Sequence, residues 1–105
     1  MSKNLQIIYC TIDSMEAAEQ LADAALNLKL AACVNVFPIQ SYYYWNKKKE
    51  KTMEFVMIFK TLKKKKKTLV RLIEKEHSYE VPCILSFEAG VNTTFEAWTK
   101  SNLVT

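Results

Sequence analysis

Glycine is almost missing from this 105-residue chain, with Gly90 the only one. No glycine-rich phosphate cradle can be written with a single glycine, which excludes a P-loop and a dinucleotide-binding fingerprint. Arg71 is the only arginine, which argues against any site that clamps phosphate with a bidentate guanidinium. Histidine occurs once, as His77, and proline twice. The cysteines Cys10, Cys33 and Cys83 are odd in number and far apart, leaving neither a disulfide framework nor a Cys-x-x-Cys metal knuckle. Free thiols fit a reducing compartment. No apolar run approaches the roughly 20 residues that a membrane span needs, and the first residues lack the apolar stretch of a signal peptide. The expectation is a soluble, cytoplasmic protein with no membrane partner.

What is present is ordinary globular material: 50% hydrophobic, 11% aromatic and 25% charged residues in 12.2 kDa. That is one domain, residues 1–105, able to bury about two thirds of its extended surface without disulfide staples. Fifteen basic against eleven acidic residues give a net charge of +4, too small by itself to imply a nucleic-acid partner.

Periodicity orders the elements. Leu5, Ile7 and Tyr9 alternate with Ile8, Cys10 and Ile12, a strand apolar on both faces and therefore central. Asp13 and Glu16 have the spacing of a capping box, with Asp13 as N-cap of a helix that runs to about Lys29 through Ala17, Leu21, Ala24, Ala25 and Leu28. Ala31–Phe37 returns to strand character until Pro38, which marks a bulge or an edge position. Ser41–Trp45 and Thr52–Lys60 are extended again, with a turn inside Asn46–Glu50, so they form a long hairpin. Leu62, Leu69, Val70, Leu72 and Ile73 outline a second helix ending near Glu76 and His77. Cys83, Leu85, Phe87 and Ala89 make a fourth strand closed by Gly90. Thr93 and Glu96 repeat the capping-box spacing ahead of a short terminal helix.

The order β-α-β-β-α-β is that of an α+β, ferredoxin-like sandwich. Its sheet order is four-one-three-two, with both helices on one face. The topology gathers Cys10, the hairpin turn, His77 and Cys83 at one end of the sheet and leaves Cys33 at the other.

A lone histidine at a helix end is ordinarily a dipole-complementing or solvated residue. The gathering of Cys10, Cys83, Glu76 and Glu80 near His77 raises the odds of metal binding, copper or zinc, while the plainer reading of both cysteines is as small buried hydrophobes, the common fate of free cysteine. A Cys–His nucleophile ranks below it, since no orienting third group or oxyanion hole is visible. The five lysines Lys63–Lys67 read as a solvated helix start whose charge opposes the helix dipole. An RNA-binding sheet would need a glycine and, in register with it, a further aromatic in the third strand, and neither is in place there. Tyr42, Tyr43, Tyr44 and Trp45 concentrate four aromatics near the hairpin tip, the mark of a subunit interface in a cyclic oligomer.

Cys10-Thr11, the segment Lys29-Leu30-Ala31-Ala32-Cys33-Val34-Asn35, Ser41–Trp45, Glu54–Thr61 and His77-Ser78-Tyr79-Glu80-Val81-Pro82 occur in this order. Over essentially its whole length the chain resembles the CutA family of divalent-cation tolerance proteins. The resemblance implies a ferredoxin-like homotrimer assembled through the long hairpins. It also implies binding of a divalent metal ion, copper above all with zinc as the alternative, and a role in metal tolerance without catalysis. The family's proposed copper ligands match Cys10 and His77, with Glu76 as a third. Two positions depart from the family pattern. Ser78 replaces a proline, and Cys83 replaces an acidic residue, which would exchange a hard oxygen for a soft sulfur and make Cys83 a fourth candidate ligand. The alternative reading is a trimer that senses a small ligand or anion in clefts between subunits.

Overall fold

In the computed structural model, which describes residues 3–104, the first alternating segment forms β1 (Lys3–Ile12). The signal-peptide expectation at Met1 and Ser2 lies outside those residues. After β1 come α1 (Met15–Asn27), β2 (Cys33–Trp45), β3 (Lys48–Thr61), α2 (Lys66–Glu76), β4 (Ile84–Val91) and α3 (Thr93–Asn102). The sheet is antiparallel throughout, in the order β2-β3-β1-β4. This is the expected α+β architecture.

Strand alternation sorts the apolar residues. Ile8, Cys10 and Ile12 of β1 share a face with Met57 and Phe59 of β3, their cross-strand neighbourhood. That face packs on Ala18, Leu21 and Ala25 of α1 and Leu69 and Ile73 of α2 to form the core. Each of these side chains is essentially sealed from water, and burial of one such aliphatic group contributes about 1.5–3 kcal/mol. On the reverse face α3 covers one end of β1, with Phe95 beside Leu5, Ile7 and Lys60.

Local chemistry differs from expectation at several ends. Ser14, not Asp13, caps α1: its backbone is extended and its Oγ accepts the Ala17 N–H at 3.1 Å. Asp13 accepts the Ser78 hydroxyl instead. Helix α1 stops at Asn27 because Lys29 turns left-handed at φ 58°, so that Lys29 N–H bonds Leu26 and Leu30 N–H bonds Ala25. Those two bonds form a Schellman termination built on lysine where glycine is usual. Pro38 does not interrupt β2. It pairs opposite Phe55 in an unbroken register, which an edge strand permits. The hairpin turn narrows to Asn46 and Lys47, both with positive φ, as a two-residue connection requires. Gly90 sits inside β4 opposite Asn4 rather than closing the strand. At α3 the N-cap residue is Asn92, and Glu96 pairs with Lys100 at 3.6 Å instead of completing a capping box. The lysine run starts as a 3-10 turn (Lys63–Lys65) without a side-chain cap, and Lys63 and Lys64 are exposed.

Candidate functional site: a cleft at the end of the sheet

Each element ends where the topology requires. The last turn of β1, the hairpin and the loop after α2 meet at one end of the sheet around a cleft of about 800 Å³. Its aromatic lining comes from Tyr9, Tyr43, Trp45 and Tyr79, and its acidic lining from Glu50, Glu54 and Glu80. None of the lining residues is basic.

A single hydrogen-bonded chain fixes the loop wall of the cleft. His77 ends α2, and its Nδ1 accepts the Tyr79 backbone N–H at 3.0 Å. The ring proton therefore sits on Nε2, which donates to the Thr11 carbonyl at 2.7 Å. Tyr79 stacks against the same imidazole at 4.8 Å and donates its hydroxyl to Glu54 at 2.5 Å. Glu54 is only 6% exposed, and this bond satisfies a carboxylate that would be costly to bury alone. Burial first, then the hydrogen bond and charge of Glu54, and then Asp13 and Tyr43 push the Tyr79 hydroxyl well above its ordinary pKa.

The residues predicted as metal ligands fall in different environments. Alternation along β1 sends Tyr9 and Thr11 into the cleft and Cys10 into the helix-facing core, where it is fully buried. Burial, with a smaller contribution from Cys83, pushes the Cys10 thiol from 9.0 up to about 12. His77 is committed at both ring nitrogens. Glu76 is exposed at the last turn of α2, and Cys83 is exposed on the cleft wall. Cys33 opens β2, away from the cleft. Among the described residues no three histidine, cysteine or carboxylate side chains stand together as a metal-holding group. The sequence reading missed Glu54 and Glu50 as site residues. The available signal was Glu54 itself, a charge on the face that Val56 and Ile58 share.

The family model for the CutA1 divalent ion tolerance protein matches residues 6–102. The chain belongs to the CutA1 family. A divalent-cation tolerance protein CutA from Archaeoglobus fulgidus is 47% identical over 77 residues, which are 73% of this chain and 76% of the relative. A solved structure described as the periplasmic divalent cation tolerance protein CutA from that organism superposes with a TM-score of 0.91 at 37% identity. It covers 97% of this chain and 100% of its own. The CutA1 structure from Ehrlichia chaffeensis superposes with a TM-score of 0.94 at 27% identity, with both chains fully covered. These CutA1 relatives are named for tolerance of divalent ions rather than for a reaction. No helix of this CutA1-family chain is long and apolar enough to cross a membrane, among the described residues.

Proposed function

We propose that the chain is a homotrimeric, copper-binding protein of the cytoplasm that acts in divalent-cation tolerance without a catalytic cycle. The observation that carries this reading is Cys83, an exposed thiol on the wall of a cleft lined by three carboxylates and no basic residue. A soft thiolate in an acidic setting favours copper, with zinc next, over hard cations. Cys83 is the first ligand in this reading. His77 is the second, reached when Nε2 releases the Thr11 carbonyl, and Glu76 adds an oxygen from the end of α2. Cys10 contributes least, because it reaches the ion only by leaving the core. Three free thiols support a reducing compartment. The trimer is supported by the hairpin, whose Tyr42, Tyr44 and Met53 are exposed beyond what one subunit needs.

Copper titration of the reduced, metal-free protein by calorimetry tests the site. Cys83→Ala and His77→Ala should each weaken binding by roughly 10-fold or more, a typical cost of perturbing a metal site, and Cys10→Ser should stay within about twofold. Parent-like titrations of both Cys83→Ala and His77→Ala would reject the copper reading.

A further inference from the structure

We propose that the lysine-rich end of the molecule docks peripherally on an anionic phospholipid surface. The fold collects the parts of this surface from two separate segments. The Thr61 hydroxyl donates to the Leu30 carbonyl at 2.6 Å and the Ala32 N–H to the Lys60 carbonyl at 2.9 Å, so the chain after α1 is tied to the start of the lysine run. Lys29, Lys63, Lys64 and Lys67 are all exposed there. Among the described residues the one carboxylate within ion-pair distance of them is Glu88, 3.9 Å from Lys63. No side chain caps the 3-10 turn or α2, and the first turn of α2 holds no acidic residue, so the backbone dipole and the lysines present the same sign. Within the chain that is a repulsion, which a negatively charged surface relieves.

The second observation is apolar and independent of the first. Periodicity assigns Leu28 to the buried stripe of α1, but it is 58% exposed, and Leu26 is 39% exposed. The left-handed turn at Lys29 places Leu30 in the core and leaves these two leucines outside it. Leucines flanking lysines suit a bilayer surface, whereas a nucleic acid would leave them in water. A basic patch or an apolar wedge alone holds a protein weakly at a bilayer, and the two together hold it more firmly. The cytoplasmic leaflet carries such anionic lipid. The expectation of no membrane partner rested on the lack of a spanning segment, and a peripheral contact needs none. None of the residues given to copper or to the hairpin interface takes part.

Co-sedimentation with vesicles tests the contact, using the full chain in its native oligomeric state with a chelator present. Vesicles of phosphatidylcholine mixed with phosphatidylserine should bind the protein, and phosphatidylcholine alone should not. Binding should weaken as salt is raised. Each lysine near an anionic leaflet contributes about fivefold in affinity, so Lys29→Asn, Lys64→Gln and Lys67→Gln together should lose about 100-fold. Asparagine suits the left-handed backbone at position 29 and all three side chains are exposed, so circular dichroism should show the parent fold. The pair Lys64→Gln and Lys67→Gln leaves that turn untouched and should lose about 25-fold. Leu26→Gln with Leu28→Gln should lose about 10-fold on the mixed vesicles and nothing on a single-stranded oligonucleotide. No binding to the mixed vesicles, equal binding to phosphatidylcholine alone, or parent-like binding by the lysine variants overturns the proposal. So does a leucine variant that binds the mixed vesicles like the parent. Tighter binding to the oligonucleotide than to the vesicles assigns the patch to nucleic acid and overturns it as well.

Discussion

Tyr79 fastens the loop after α2 at two points, its N–H on His77 and its hydroxyl on Glu54. Removing the hydroxyl leaves a buried carboxylate without its donor, which costs about 1–3 kcal/mol. Tyr79→Phe should therefore lower the urea midpoint by that equivalent, and adding Glu54→Gln should return part of it because a neutral amide is cheaper to bury. An additive double-mutant cycle would show that the two side chains are not coupled. Cys10 yields a different expectation. Its thiol stays protonated in the fold past the pH at which an unfolded thiol ionises. Below about pH 9 both states carry the proton and the contribution to stability is complete. From 9.0 toward about 12 the unfolded chain loses the proton first, so stability falls as pH rises. Tyr79, also raised, adds a loss of the same sign that begins near pH 10, where an unfolded tyrosine starts to ionise. Urea midpoints across this window should decline less steeply in Cys10→Ala, and iodoacetamide at neutral pH should label Cys83 while sparing Cys10.

At the level of elements, the hairpin turn is the weakest local choice in the chain. Asn46 tolerates a left-handed backbone, but Lys47 at φ 65° does so against the crowding of its Cβ. Lys47→Gly should raise the thermal stability by roughly 0.5–1 kcal/mol, since Asn-Gly is the preferred pair for this turn. A lower melting temperature would show that the Lys47 side chain has a role of its own. The same positions explain which boundaries could be read from sequence. The alternation of β1 and β3 and the 3.6-residue repeat of α1 are set by burial, and burial leaves a pattern in residue types. The end of α1 at Lys29 and the turn at Lys47 have no such pattern, because lysine takes conformations there that glycine normally marks. Ser14 and Asp13 are equally good caps by type. Only the backbone geometry, with Asp13 drawn to Ser78, decides between them.

For the whole molecule, β2 and β3 extend the long axis to 46 Å against 27 and 21 Å across. A projecting hairpin with Tyr44 73% exposed has little to gain from remaining a monomer. Sedimentation equilibrium at micromolar concentration should give about three times the 12.2 kDa chain mass, and the melting temperature should rise with protein concentration. A 12.2 kDa species with a concentration-independent melt would defeat the trimer. The cleft was legible only in part. Topology brought its walls to one end of the sheet, but whether a strand residue faces the core or the cleft depends on register, and that one-residue alternation separates Cys10 from Tyr9 and Thr11. Pro38 carries a consequence for the free edge of β2. Its missing N–H leaves the ladder to β3 intact only if that position points outward, so the edge lacks one donor near its middle. A foreign strand docking there meets two short templates, residues 33–37 and 39–45, instead of one run of thirteen. The exposed border of the sheet is thereby a poor seed for fibrillar stacking, and any strand that does pair with it must take its place on one side of the proline.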